Sequence, residues 1–294
     1  MRSNVMDSFA KEKELQEIKS LLISHIQAQN ITNQGLVIIK DLLINNNYLM
    51  RQEKLKNPLN KFGKKCFSQS DEDGILVEII KRLDIKQGTF AEFGVETGIE
   101  NNTLILSALG WKGFWVGNED LSYEITNKKK LKYKKEWITL KNILKITKEL
   151  SENLNIKEID IISLDLDGND YHLTKELLLN KVNPKLFIVE YNSKFFPPIE
   201  FIMEYDDFNN WKGDDYFGAS LQSYNNLFKK FNYSLICCNY HTGANAFFIN
   251  NKYLNLFKDV PKKIDDIYIG PNYELLTKFG HLRSITVPEK LINR

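Results

Sequence analysis

Hydrophobic residues recur three and four positions apart in the first part of the chain, between residues 8 and 56. This part contains no proline and a single glycine, Gly35. The spacing predicts amphipathic helices, and we expect two of them, with a break near Asn30–Gly35 where Thr32 or Asn33 would cap the second helix. The apolar positions are Leu15, Ile18, Leu22, Ile26, Leu36, Ile39, Leu42 and Leu43.

A proline turn separates these helices from the rest of the chain. Asn57-Pro58-Leu59-Asn60 cannot continue a helix, so we expect a helical segment, residues 1–57, and a domain of residues 58–294. Helices this far ahead of the first core strand pack either on their own domain or on another copy of the chain. We therefore expect either a cap on the domain or a homo-oligomer formed through the N-terminal helices.

After residue 58, short continuous apolar runs alternate with helical stretches, as in sheets that are buried on both faces. The predicted strands are Thr89–Val95, Gly113–Val116, Trp137–Leu140, Ile159–Asp165, Leu186–Glu190, Ser234–Cys238 and Ala246–Ile249. The link Asn239–Asn245 is too short for a crossover, so the last two strands should form an antiparallel hairpin. The predicted fold class is α/β: a doubly wound, Rossmann-like, seven-stranded and mostly parallel sheet with an antiparallel C-terminal hairpin.

Composition argues against several kinds of partner. The 40 basic and 38 acidic residues leave a net charge of +2, so no whole-chain field favours nucleic acid. No apolar run approaches the roughly 20 residues that span a bilayer, and the polar stretch Met1–Glu14 is unlike a signal peptide. Cys66, Cys237 and Cys238 are too few and too unevenly spaced for a disulfide framework. We expect a cytoplasmic protein with no nucleic-acid partner and no membrane span.

A run of lysines lies between residues 128 and 135. It consists of Lys128, Lys129, Lys130, Lys132, Lys134 and Lys135. Such a run is either the solvated face of a helix or loop, or a patch for an anionic substrate such as a nucleotide-linked sugar.

The first predicted strand carries the most informative motif. It runs into a turn in which Glu92, Gly94 and Gly98 form E-x-G-x-x-x-G. The dinucleotide fingerprint G-x-G-x-x-G directs a helix N-terminus at a pyrophosphate, but Glu96 occupies its third position and would repel phosphate. An acid at this turn instead suits a ligand with a cation or hydroxyl groups.

Acidic residues follow three more predicted strands. The second ends in Gly117-Asn118-Glu119-Asp120, the fourth in Asp165-Leu166-Asp167-Gly168-Asn169-Asp170, and the fifth in Glu190-Tyr191-Asn192. The carboxyl ends of parallel strands share one edge, where doubly wound sheets bind ligands. Converging carboxylates are costly without a counter-charge, so we expect a cationic ligand, a metal ion, or both.

Seven blocks of sequence resemble one family. They are FSQSDEDGILVEII, FAEFGVETGIENNTLIL, LGWKGFWVG, WITLKNI, IDIISLDLDGNDYHL, PKLFIVEYN and YFGASLQSYNNLFKKFNYSLICCNYHTGANAFFI. In this order they are similar to class I S-adenosylmethionine-dependent methyltransferases, with most likeness to bacterial FkbM-like and related polysaccharide-locus enzymes. The resemblance implies S-adenosyl-L-methionine as cofactor and an O-methyltransferase that acts on a sugar or other small polar hydroxyl acceptor, in capsule or surface-glycan biosynthesis.

The resemblance also implies roles for the cofactor-side residues. Glu92, Gly94 and Gly98 match the motif around the methionine moiety. Ser68 and Gln69 resemble a cofactor-side loop, although they can equally form a helix cap with Ser70 and Asp73. Where an acid normally holds the ribose hydroxyls, this chain has Gly117. Either Glu119 or Asp120 takes that role, or cofactor binding is altered.

Oxygen ligands at the ends of the fourth and fifth strands are typical of metal-dependent O-methyltransferases. Asp165, Glu190 and Asn192 present such oxygens, which suit Mg²⁺ or Mn²⁺. A metal there would orient the acceptor and lower the pKa of its hydroxyl. The alternative is that Asp165 and Asp167 contact the cofactor or cap the next helix.

Two further residues are candidates for catalysis. His241, in the link between the last two strands, can act as a general base, or it can be an ordinary loop residue. Lys194, after the fifth strand, can bind a substrate anion. Two other functions share this sheet: a non-catalytic interaction module, which the missing acid at Gly117 favours, and a nicotinamide-dependent oxidoreductase, which Glu96 disfavours.

Overall fold

The structure is a computed structural model that describes residues 2–52, 54–272 and 286–287. The chain divides into two compact units, Met1–Glu53 and Lys54–Arg294. Within the described residues, no helix is both long enough and apolar enough to cross a membrane.

The first unit is a single helix, α1, from Arg2 to Gln52. The predicted break near Asn30–Gly35 is therefore wrong. One glycine in a helix costs only about 1 kcal/mol relative to alanine, and no proline is present to interrupt the backbone. Thr32 does not cap a second helix, because its hydroxyl donates to the Ala28 carbonyl at 3.0 Å within the same helix.

The second unit is built on one seven-stranded sheet. Its strands are β1 (Thr89–Phe93), β2 (Lys112–Gly117), β3 (Leu131–Lys135), β4 (Ile161–Leu164), β5 (Leu186–Glu190), β6 (Tyr233–Cys238) and β7 (Asn245–Asn250). Their order is β3-β2-β1-β4-β5-β7-β6, with β7 antiparallel to both neighbours and the other pairs parallel. The predicted α/β, Rossmann-like sheet with its antiparallel C-terminal hairpin is confirmed.

Helices connect these strands. They are α2 (Glu72–Arg82), α3 (Leu104–Ala108), α4 (Ile143–Asn153), α5 (Asp170–Leu179), α6 (Leu221–Lys230) and α7 (Ile264–Ile267), with 3₁₀ turns at Pro58–Phe62 and Asn251–Phe257. The first 3₁₀ turn is fastened to β6, because Asn60 donates to the Cys238 carbonyl at 2.8 Å and Asn57 to the Ile236 carbonyl at 2.7 Å.

The third strand is not Trp137–Leu140, as predicted, but Leu131–Lys135. It is an edge strand, and lysines are typical of strand edges that must not pair with another chain. Lys132, Lys134 and Lys135 of the lysine run thus lie in β3. Lys134 pairs with Glu149 and Lys135 with Asp120, each at 2.7 Å.

The core lies on both faces of the central strands. Phe228 and Phe248 stack with ring centroids 4.1 Å apart, and Phe187 lies 5.3 Å from Phe228. Cys237 and Cys238 are buried in β6. The strand order reverses between β1 and β4, and this switch point opens a crevice at the carboxyl edge of the sheet.

Candidate functional site

The crevice between the carboxyl ends of β1 and β4 consists of two adjoining depressions of about 300 and 180 Å³. Gly94, Glu96, Asp165 and Asp167 line both, so they form one continuous cavity, here called the switch-point cleft. Grooves of about 770 and 990 Å³ lie elsewhere, but lysines, asparagines and aliphatic side chains make up much of their lining. The candidate chemistry is therefore concentrated in the switch-point cleft.

Eight of the side chains that line the switch-point cleft carry carboxylates. No lysine, arginine or histidine of the described residues lines it. The acidic side chains are those of Glu92, Glu96, Glu100, Glu119, Glu136, Asp165, Asp167 and Glu190. A cavity of this composition attracts cations and repels anions such as a pyrophosphate.

Gly94 allows β1 and β4 to meet at the cleft. Its φ is +93°, and a Cβ there would stand 1.6 Å from the carbonyl oxygen of Asp165. Only glycine fits both the backbone conformation and the space. The turn continues across β2, because the N–H groups of Gly94 and Val95 donate to the Val116 carbonyl at 2.9 and 3.0 Å.

The end of β2 has no acid because backbone occupies the space. A Cβ on Gly117 would lie 1.6 Å from the carbonyl oxygen of Val95. The first carboxylate after the strand is that of Glu119, which is exposed and lines the smaller depression. Asp120 is exposed and pairs with Lys135. Of the two candidates for the ribose, Glu119 is thus the one in the cleft.

Glu92 is buried, and both its carboxylate oxygens accept hydrogen bonds from the start of α3. The N–H of Asn102 donates at 2.8 Å, and Thr103 donates through its N–H at 3.0 Å and its hydroxyl at 2.5 Å. Burial raises the pKa of Glu92, and the hydrogen bonds from Thr103 and Asn102 partly offset this. Glu92 therefore fixes the loop that walls the cleft. Gly98, at φ +81°, lies in the same loop and lines the larger depression.

The structure brings Asp165, Asp167 and Glu190 together. One carboxylate oxygen from each lies within 4.8 Å of the others. Burial, and then the charge of Asp167, raises the pKa of Asp165 well above its ordinary value; burial, and then the charge of Asp165, does the same for Glu190. The Oε2 atom of Glu190 is buried without a hydrogen-bond partner among the described residues. Among the described residues, no basic side chain lines the cleft beside this trio.

Asp170, not Asp165 or Asp167, supports the start of α5. Its carboxylate accepts the N–H groups of Leu166 at 2.7 Å and Gly168 at 3.0 Å. The tight loop that results places Asp167 at a φ of +53°, a left-handed conformation that is uncommon for a residue other than glycine. Asp165 and Asp167 are consequently directed to the cleft rather than to the helix.

Asn192 and Lys194 are engaged away from the acidic trio. The buried Asn192 amide donates to the carbonyls of Asp215 and Phe217, each at 3.0 Å. The ammonium of Lys194 pairs with the buried carboxylate of Asp215. Both residues therefore anchor the segment around Asp215. Asp167 is the third carboxylate beside Asp165 and Glu190, and the metal role of Asn192 stays a prediction.

Ser68 and Gln69 have different environments. The Ser68 hydroxyl is buried and donates to Asp73 at 2.8 Å, and the same Asp73 oxygen accepts the N–H groups of Cys66, Phe67 and Ser68. Ser68 therefore makes the helix-capping contact with Asp73 that was predicted as the alternative to a cofactor-side role. Gln69 is exposed and lines the larger depression.

His241 is half-buried in the β6–β7 link, and its backbone N–H donates to Asp71 at 2.9 Å. Ala244 of the same link and Asn245 at the start of β7 line the switch-point cleft, whereas His241 lies outside that lining in the described part of the chain. A role for His241 as a general base stays a prediction.

Sequence reasoning missed a buried polar network behind the cleft. Asn245 donates to Glu72 at 3.1 Å, and Asn102 donates to Asn245 at 3.4 Å and to Ser163 at 3.2 Å. Burial, and then the charge of Asp71, raises the pKa of Glu72 to about 7. In the sequence, the signals of this network were Ser163, a polar residue inside a predicted strand, and Asn245, a polar residue next to one. The pattern of polar and apolar positions does not predict that these residues meet.

No family model matches the chain, and no curated protein matches its sequence. Among solved structures, it is similar to a protein from Lactococcus lactis proposed to be a hemolysin, at 10% identity and a TM-score of 0.38, over 69% of this chain and 97% of that one. It is also similar to an O-methyltransferase family 2 protein from Planctomyces limnophilus in complex with apigenin, at 11% identity and a TM-score of 0.28, over 71% of this chain and 61% of that one. Both TM-scores are below 0.5, so the fold assignment rests on the sheet itself.

Proposed function

We propose that the chain is an S-adenosylmethionine-dependent O-methyltransferase and that the switch-point cleft binds the cofactor. The observation that supports this most is a cavity at the switch point lined by eight carboxylates and by no basic side chain of the described residues. S-adenosylmethionine would supply a methyl group already activated on a sulfonium cation. A nicotinamide dinucleotide fits less well, because its pyrophosphate would face Glu96 and Asp167.

Within the cleft, each wall suits one part of the cofactor. The larger depression, with Asp165 and Glu190 in its lining, suits the cationic methionine end. The smaller depression offers Glu119 for ribose hydroxyls and the rings of Trp137 and Trp211 for the base. The acceptor would be a sugar or other small polar hydroxyl compound, as in capsule or surface-glycan biosynthesis, and only the sequence resemblance supports this detail.

The acidic trio also suits a hard divalent cation such as Mg²⁺ or Mn²⁺. Asp165, Asp167 and Glu190 would hold it through carboxylate oxygens, and the unpartnered Oε2 of Glu190 fits a ligand role. A bound metal would lower the pKa of an acceptor hydroxyl. Without a metal, a carboxylate with a raised pKa, such as Asp165, can accept the hydroxyl proton.

Glu119 lines the cleft two residues after Gly117, which supports a cofactor site over a non-catalytic module. Gly117 was the departure that suggested one, and the packing of Val95 accounts for it. Titration calorimetry tests the proposal. We expect micromolar binding of S-adenosylhomocysteine at one site per chain and no binding of NAD. The reverse selectivity would favour an oxidoreductase, and binding of neither ligand would favour a non-catalytic module.

A further inference from the structure

We propose that α1 assembles three or four copies of this chain into a parallel, in-register coiled coil. The contact surface, here called the α1 seam, is a row of side chains along one side of the helix. It consists of Leu15, Ile18, Leu22, His25, Gln29, Thr32, Leu36, Ile39, Leu43, Asn46 and Met50. This surface is independent of the switch-point cleft and of the function proposed for it.

The α1 seam has coiled-coil spacing over its whole length. Its positions alternate three and four residues apart from Leu15 to Met50, five heptads, and α1 is continuous through all of them. This 3.5-residue repeat keeps a seam in contact when helices supercoil. The apolar seam side chains are exposed, from 51% for Leu15 to 65% for Leu43. A helix with such an exposed stripe needs a partner, and a second copy carries the matching stripe.

The residue types in the seam favour more than two copies. The first heptad core position holds four leucines, Leu15, Leu22, Leu36 and Leu43, beside Gln29 and Met50. The apolar residues of the second position are Ile18 and Ile39, and its other residues are His25, Thr32 and Asn46. Leucine at the first and isoleucine at the second shift the preference from dimers to trimers and tetramers. The flank beside the first position is also apolar or small: Leu21, Ala28, Gly35, Leu42 and Leu49. A dimer would leave Leu21, 71% exposed, and Leu42, 63% exposed, largely in water.

Polar seam residues favour one orientation. His25, Gln29, Thr32 and Asn46 each meet their own counterpart when the helices are parallel and in register. Antiparallel pairing or a one-heptad shift sets at least one of them against leucine or isoleucine, which costs free energy. In the parallel arrangement, the last residues of α1 from all copies lie at the same end of the bundle.

Light scattering of the full chain tests the copy number. We expect a mass three or four times the 34.3 kDa of one chain; a monomer or dimer at tens of micromolar would overturn the proposal. A double variant, Leu36→Lys with Leu43→Lys, should be monomeric, whereas Gln27→Lys with Gln34→Lys, outside the seam, should keep the wild-type mass. All four tryptophans lie in the second unit, so unchanged tryptophan emission separates loss of assembly from misfolding. A seam variant that keeps the wild-type mass would contradict the proposal.

Cross-linking tests the orientation without breaking the seam. In a Cys66→Ser background, Ile18→Cys should cross-link to itself with a short bismaleimide, and Ser20→Cys, on the opposite side of the helix, should react far less. In an antiparallel bundle with overlapping seams, the copies of residue 18 would be about 44 Å apart along the helix axis. An intact oligomer that does not cross-link at position 18 would therefore overturn the parallel arrangement.

Discussion

The carbonyl oxygen of Val95 lies 1.6 Å from the point where a Cβ on Gly117 would stand. The turn after β1 therefore covers the end of β2. At the position where the family resemblance leads one to expect a ribose-binding acid, the backbone of the chain excludes any side chain. The carboxylate that remains in the cleft at this strand end is Glu119, two residues later.

Restoring the acid at this position should damage the protein. We expect Gly117→Asp to lower the free energy of unfolding by at least about 2 kcal/mol, since its Cβ overlaps backbone that is held by hydrogen bonds to Val116. Thermal unfolding measures this, with Asn118→Asp at the exposed neighbouring position as the control. Equal stability of the two variants would contradict the overlap.

If Glu119 holds the ribose hydroxyls, Glu119→Gln should weaken S-adenosylhomocysteine binding about tenfold, a loss of about 1.4 kcal/mol. Asp120→Asn is the matched control, because the Asp120 carboxylate is exposed and pairs with Lys135. Titration calorimetry compares the two. Wild-type affinity in Glu119→Gln would mean that another group holds the ribose.

The acidic trio should make the free protein less stable as pH rises. Burial, and then the charge of Asp170, raises the pKa of Asp167 from 3.8 to about 6. Between these values the folded state binds more protons than the unfolded state, so stability present below pH 3.8 is lost as pH rises through 6. Two pKa units correspond to at most about 3 kcal/mol.

Asp167→Asn should therefore be more stable than wild type at pH 7.5, by about 1 to 3 kcal/mol, and should bind the cofactor more weakly. Chemical unfolding at pH 4.5 and 7.5 measures the difference, with the exposed Glu152→Gln as the control. A variant that is less stable than wild type at pH 7.5 would show that the Asp167 charge has a partner in the folded state.

A metal site at the trio would show in Mn²⁺ binding. We expect calorimetry to detect one Mn²⁺ per chain, and we expect Glu190→Gln to weaken it at least tenfold because a buried ligand oxygen is lost. Glu100→Gln changes an exposed carboxylate of the same cleft and should keep the site. Equal Mn²⁺ affinity in both variants, or none in wild type, would remove the metal from the proposal.

Patterns that repeat along the chain predicted the fold well. Continuous apolar runs such as Leu186–Glu190 identified buried strands, and the short link Asn239–Asn245 identified the hairpin, because burial on both faces and loop length depend on local sequence alone. The edge strand β3 was missed, because its alternating lysines have the composition of a solvated loop. The prediction of a break in α1 was wrong, because polar residues and one glycine lower the stability of a helix without ending it.

The site was predicted only in part, because side-chain partners depend on tertiary contacts. Asp165 follows β4 and Glu190 is the last residue of β5. These neighbouring parallel strands end side by side, so the proximity of the two residues follows from the sheet. Asp167 joins them because its own backbone adopts a left-handed conformation in the loop after β4. The Asn192 side chain donates instead to the carbonyls of Asp215 and Phe217. The spacing of residues along the sequence predicts neither of these side-chain positions.

The central claim is that the switch-point cleft binds a cationic methyl donor. Sinefungin and S-adenosylhomocysteine test it most directly, since they differ mainly in an ammonium group at the position of the transferred methyl. We expect wild type to bind sinefungin at least tenfold more tightly in titration calorimetry, and we expect Asp165→Asn and Glu190→Gln to narrow that ratio. Equal affinities for the two ligands in wild type, or no binding of either, would contradict the claim.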